Sequence, residues 1–179
     1  MAYADTTPFS LADTRADRTW IIAALVLLAG MAATLGTALY FQHGLGYVPC
    51  KLCLQQREGY YLGLPFAAAG LGSMLLAGPR CLTRGCLAIA GLCMAATAAL
   101  GTYHAGAEWA LWAGPSDCAG GQALSTDAGA LLDSLATTKP PSCTDAPWRF
   151  LGLSFAGWNV VCASGLAFLA FRATARRAA

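Results

Sequence analysis

Charge is what this 179-residue chain has least of: Asp, Glu, Lys and Arg make up 11% of it, where an ordinary soluble domain carries about 25%. That scarcity argues against a water-soluble globule. The few charges also leave uncharged windows over 19–50, 59–79, 85–107 and 150–171. Each is long enough to cross the hydrocarbon core of a bilayer, which takes about 20 apolar residues. With a net charge of +2 and no basic stripe or arm, nucleic-acid binding is excluded as a main activity. The windows also carry too little of the Met, His and acidic side chains that a transmembrane metal path would want. A non-enzymatic membrane protein that binds or passes a transition metal is therefore the weaker reading.

What is abundant is apolar: 57% of the residues are hydrophobic. The pattern predicts one all-α integral membrane domain over 1–179, a four-transmembrane-helix bundle. Its helices run over about 20–41, 59–78, 86–104 and 150–171, joined by outer loops 42–58 and 105–149 that each carry a cysteine pair. The apolar run in the first window exceeds the 7–15 residues of a signal-peptide core, so it reads as an uncleaved helix. Pro65 in the second helix and small residues such as Gly91 and Ala95 in the third are tolerable in membrane helices packed on neighbours. Arg15, Arg18, Arg80, Arg84, Arg172, Arg176 and Arg177 gather on the side of the termini and the 79–85 turn, whereas Lys51, Arg57, Lys139 and Arg149 are spread over the outer loops. By the positive-inside rule both termini are cytoplasmic. Tyr40, Phe41, Tyr47, Tyr60, Tyr61, Tyr103, Trp109, Trp112 and Trp148 cluster near the outer helix ends, as an interfacial belt does. Leu124, Leu131, Leu132 and Leu135 fall near one helical face, suited to the membrane surface or to the bundle.

Eight cysteines are the second abundance. Cys81 and Cys86 sit in or beside the cytoplasmic turn, where thiols stay reduced. Cys93 and Cys162 are mid-helix, where cysteine acts as a small apolar residue. Loop one carries the Cys-x-x-Cys of Cys50 and Cys53, and loop two carries Cys118 and Cys143. Exported loops face an oxidising compartment, where such pairs exist as disulfides. Cys50 and Cys53 admit three readings. A structural bridge over two residues would close too small a loop to stabilise much. A zinc site needs four ligands, and Cys118 and Cys143 lack the paired spacing that would supply the rest, so no metal is expected. A redox-active pair is favoured, because Pro49 stands where a helix would begin and a helix N-terminus supplies thiolate. Arg57, one turn after Cys53, either holds a thiolate or developing anion or anchors its helix by snorkelling. His104 either exchanges protons with a redox partner at the membrane surface or simply hydrogen-bonds there.

Together these residues resemble a known family. Pro49-Cys50-Lys51-Leu52-Cys53-Leu54-Gln55-Gln56-Arg57 with Tyr60-Tyr61, then Tyr103-His104 with Glu108-Trp109, then Gly114-Pro115-Ser116-Asp117-Cys118, Pro141-Ser142-Cys143 and Pro147-Trp148-Arg149-Phe150-Leu151-Gly152-Leu153-Ser154 are similar to the disulfide bond formation protein B (DsbB) family of bacterial inner-membrane thiol oxidases. The resemblance spans nearly the whole chain and implies periplasmic outer loops. It implies that Cys118 and Cys143 meet a soluble thioredoxin-fold donor of the DsbA type, with Cys118 forming the mixed disulfide. Cys50 would exchange with that outer pair, and Cys53 would pass the electrons to a membrane quinone, ubiquinone or menaquinone. Arg57 would lie at the quinone, and His104, which falls close to a histidine of the family, would help Arg57 and Cys53 bind it. The four other cysteines stand outside the family mechanism. A DsbA-type donor has a potential near about −120 mV, while stable structural disulfides lie below about −300 mV. That gap of about 180 mV opposes oxidation of the donor by about six powers of ten at roughly 30 mV per decade, so a stronger oxidant is required. A vitamin K epoxide reductase-like quinone-coupled oxidase is the alternative enzyme, but that family carries its Cys-x-x-Cys late in the bundle, whereas here it follows helix one.

Overall fold

The computed structural model describes residues 11–115 and 142–175, with side chains from Arg18 onward. Cys118, Lys139, Arg176, Arg177 and the leucine-bearing stretch 124–135 lie outside the described residues. The elements in chain order are α1 (Leu11–His43), α2 (Lys51–Leu75), α3 (Arg80–Glu108), the two-residue strands β1 (Arg149–Phe150) and β2 (Leu153–Ser154), and α4 (Phe155–Ala175).

The four helices form a closed bundle: α1 packs on α2 and α4, and α3 packs on α2 and α4. Short connections at 44–50 and 76–79 make α1, α2 and α3 sequential neighbours. Leu27 and Met31 of α1, Leu87 and Met94 of α3, and Ala167 and Ala170 of α4 meet in the core. Trp20 Nε1 donates to Ala173 O at 2.9 Å, tying the start of α1 to the end of α4. The small-residue seam expected at Gly91 is real, since a Cβ built there would lie 2.9 Å from the Ala170 Cβ. Only a side chain this small lets α3 and α4 approach so closely.

Among the described residues, Arg18–His43, α3 and α4 are long and apolar enough to cross a membrane. This is a helical membrane protein. α2 is more polar, because its first two turns carry Lys51, Gln55, Gln56, Arg57 and Glu58 and its remainder is rich in Gly and Tyr.

The helices begin and end differently from the uncharged windows. α2 starts at Lys51 rather than 59, and α3 at Arg80 rather than 86, because charged residues at a helix end reach water without breaking it. The turn expected over 79–85 shrinks to 76–79, and Cys81 and Arg84 stand on α3. α1 likewise extends back to Leu11. The fourth helix starts later, at Phe155 rather than 150, because residues 149–154 form a hairpin with Arg149 paired to Ser154 and Phe150 to Leu153. Its two central residues, Leu151 (φ 50°) and Gly152 (φ 82°), are left-handed, as the tightest hairpin turn requires and a helix forbids. Ser154 then caps the helix, its Oγ accepting from Gly157 N at 3.2 Å.

Candidate functional site

α2 begins at Cys50. This residue takes the extended N-cap conformation (φ −74°, ψ 170°), and its Sγ accepts from Cys53 N at 3.3 Å, as a serine oxygen would in a conventional cap. The Cys50 and Cys53 sulfurs are 3.0 Å apart, and both residues are free thiols. His104, near the end of α3, brings its Nε2 to 3.6 Å from the Cys50 Sγ. The thiol of Cys53, then His104 and the backbone N–H of Cys53 hold the Cys50 thiol well below its ordinary range, outweighing the opposite push of burial. The helix-start position expected for the Cys-x-x-Cys is therefore occupied, and its stabilising contacts converge on Cys50.

Cys143 belongs to the same place. It is disulfide-bonded, with every other described cysteine a free thiol, and it forms one buried cluster with Cys50 and Leu52, against which Cys53 and Leu100 pack. Cys118, expected at the outer site, lies outside the described residues.

Beside the cysteines is a cavity of about 940 Å³ whose wall includes Cys50, Cys53, Gln56, Arg57, Tyr60, His104, Asn159 and Cys162. Phe41 and Phe155 stand on its wall with centroids 4.8 Å apart, and Trp148 stacks on Phe155 at 5.1 Å. Phe41 and Trp148, two of the aromatics expected as a belt, thus both pack on Phe155. Arg57 donates to Gln42 Oε1 and, at 3.4 Å, to Ala38 O. Its guanidinium bridges α2 to the end of α1 on the cavity wall.

The sequence reading missed the groups behind His104. Its Nδ1 is 2.8 Å from Gln56 Nε2, Gln56 Oε1 accepts from Asn159 Nδ2 at 2.6 Å, and Asn159 Oδ1 accepts from the Tyr60 hydroxyl at 2.6 Å. Glu108 Oε1 stands 3.7 Å from His104 Nε2, and the Ser154 hydroxyl donates to Glu108 Oε2. A weak signal was available for three of these groups. Gln56 and Tyr60 follow Cys53 by three and seven residues, on the same helical face, and Asn159 is an amide inside an uncharged window, where it needs a partner. Cys162, read as packing, lines the cavity. The Cys50, Cys53 and His104 donor atoms also lie within 4.8 Å of one another, close enough to share one metal ion, with His104 as the third donor that the cysteine spacing alone did not supply.

The family described as "Disulfide bond formation protein DsbB" matches residues 18–173. The chain belongs to the DsbB family. It is 32% identical over 158 residues to the "Disulfide bond formation protein B" of Aromatoleum aromaticum, a match covering 86% of this chain and 91% of the relative. The protein of the same name from Marinobacter nauticus is 33% identical over 168 residues, covering 88% and 92%. That of Saccharophagus degradans is 35% identical over 155 residues, covering 80% and 86%. No solved structure matches. Membership in the DsbB family makes this a membrane protein of disulfide bond formation, with disulfide oxidoreductase activity.

Proposed function

We propose that this DsbB-family protein reoxidises a DsbA-like dithiol protein in the bacterial periplasm and delivers the electrons to a membrane quinone. The bundle would sit in the inner membrane with four spans, both termini cytoplasmic and 42–58 and 105–149 periplasmic. The observation that carries the reading is the shared burial of Cys50 with the disulfide-bonded Cys143.

The exchange balances as follows. A reduced donor gives its two electrons and two protons to a Cys118–Cys143 disulfide, first through a mixed disulfide at Cys118. The resulting Cys143 thiolate attacks the Cys50 sulfur of a Cys50–Cys53 disulfide, forming a Cys50–Cys143 bond and releasing Cys53. Cys118 then attacks Cys143, restoring the outer disulfide and releasing Cys50. A low-pKa thiol is the better leaving group, which is the service that His104 and the N-cap perform for Cys50.

The cavity suits a flat, lipid-soluble ring: it adjoins both sulfurs, offers apolar walls at Leu35 and Phe41, and has one fixed cation, Arg57. Arg57 and the face of Cys53 would hold a quinone there. When bound, the quinone supplies a two-electron, two-proton acceptor strong enough to re-form the inner disulfide. Arg57, already held by α1, presents its charge without having to be ordered first.

The test is donor-dependent quinone reduction by the purified protein in detergent. One quinone reduced per donor dithiol oxidised, with neither ubiquinone nor menaquinone reduced in the absence of donor, supports the reading. Donor oxidation that continues without any quinone beyond the two dithiols that the protein's own disulfides can take up contradicts it.

A further inference from the structure

Behind the reactive cysteine, four buried or half-buried side chains from α2, α3 and α4 form an unbroken hydrogen-bonded row, Tyr60, Asn159, Gln56 and His104. Tyr60, Gln56 and His104 are 2%, 5% and 2% exposed, so water is not freely available to replace a lost partner. Each junction is short, at 2.6, 2.6 and 2.8 Å.

The row has a polarity. The Tyr60 hydroxyl donates to Asn159 Oδ1, which leaves Asn159 its amide N–H groups to offer, and these donate to Gln56 Oε1. Gln56 in turn can present only its Nε2–H to His104. An N–H facing a ring nitrogen requires that nitrogen to be an acceptor, so Nδ1 carries no proton and the neutral ring carries its proton on Nε2. Nε2 is the nitrogen facing Cys50 Sγ at 3.6 Å, with Glu108 Oε1 3.7 Å from it on the same side of the ring. Reversing one amide alone would set oxygen against oxygen and nitrogen against nitrogen, so the orientation is shared by the whole row. α3 also makes room for it: a Cβ at Gly101 would lie 3.3 Å from Gln56 Oε1 and 3.4 Å from Asn159 Nδ2.

We infer that Gln56, Asn159 and Tyr60 are positioning residues that fix the tautomer of His104, so that the protonated nitrogen is Nε2, the one beside the Cys50 sulfur and the Glu108 carboxylate. Asn159 thereby acts on Cys50 from another helix without touching it. The consequence for exchange rests on the function proposed above, but the tautomer itself does not.

The chain has two histidines, His43 and His104, so a His43→Gln protein with nitrogen-15-labelled imidazole reports one ring. Long-range proton–nitrogen correlation spectra of the reduced protein in detergent are expected to show Nε2 protonated and Nδ1 bare. Asn159→Leu, which leaves Gln56 free to turn, is expected to bring in the Nδ1–H form. It should also move the acid fall of Cys50 alkylation to higher pH, by roughly a tenfold change in proton concentration, as loss of one hydrogen bond to a charged sulfur does, with Cys81 unchanged as internal reference. Tyr60→Phe removes one oxygen, keeps the packing, and is expected to give a smaller change in the same direction. A wild-type ring protonated on Nδ1 overturns the inference without any substitution in the row. So does a ring that stays wholly Nε2–H in Asn159→Leu or, should that variant not fold, in Tyr60→Phe. Neither readout involves donor or quinone, so failure here leaves the proposed electron path standing.

Discussion

Cys50 and Cys143, 93 positions apart in the chain, lie in one buried cluster at 4% and 1% exposure. One is a thiol that caps a helix and the other is half of a disulfide. Thiol–disulfide exchange needs a thiolate placed against a disulfide sulfur, and this neighbourhood brings the two kinds of sulfur together. The relay therefore predicts that Cys118→Ser and Cys143→Ser each abolish oxidation of the protein donor. Cys81→Ser, whose side chain is exposed, leaves it unchanged. Donor thiol titration over time checks both, and loss of oxidation in Cys81→Ser at normal expression would remove that cysteine from the bystanders.

Arg57 separates recognition from anchoring. A point ammonium reproduces a snorkelling charge but not a planar fork that serves two partners. Arg57→Lys is expected to insert normally and to raise the KM for quinone, with Arg57→Ala worse. Loss of one charge-assisted hydrogen bond costs about 1.5–3 kcal/mol, roughly ten- to hundred-fold in quinone use. Steady-state quinone reduction across quinone concentrations measures it, and an unchanged KM in Arg57→Ala returns the residue to a structural role between α1 and α2.

The lowered Cys50 pKa predicts an unusual pH profile. An ordinary thiol loses reactivity as pH falls through about 8.5. Cys50 is held as thiolate by Cys53, His104 and the cap, so its alkylation rate should stay level through neutral pH and fall only in acid. His104→Ala removes one of those stabilisers and should move the fall to higher pH. Iodoacetamide labelling of Cys50, resolved by peptide mass spectrometry, gives the profile in both proteins.

Gly59 tests the bundle itself. A Cβ there would stand 1.9 Å from Thr97 Oγ1 and 3.0 Å from Cys93 O, so Gly59→Ala forces either Thr97 or the α2–α3 spacing to shift. Overpacking of this kind costs about 1–3 kcal/mol. Thermal unfolding in detergent should show lowered stability, and an unchanged midpoint would mean that Thr97 turns aside without cost.

The helical bundle was legible because the lipid phase imposes a simple rule, a run of uncharged residues for each crossing. That rule marks the apolar middle of a helix, not its ends. It therefore missed the 51–58 and 80–85 extensions, where Lys51 and Arg80 continue the helix into water, and the 149–154 hairpin, whose start is set by backbone handedness at Leu151 and Gly152. At the site, the cysteines and Arg57 were legible because their chemistry and spacing are unusual. Gln56 and Asn159 were not, since a neutral amide acquires its role only from the partner that another helix brings to it.

The most direct test of the relay is to leave Cys50 and Cys143 as the only relay sulfurs, in a Cys53→Ala, Cys118→Ala protein. If the two residues meet as their common cluster implies, mild oxidation joins them, and non-reducing peptide mass spectrometry finds a Cys50–Cys143 link as the dominant product. Two freely alkylated cysteines after the same treatment, in a protein that is folded and membrane-inserted, would contradict the account.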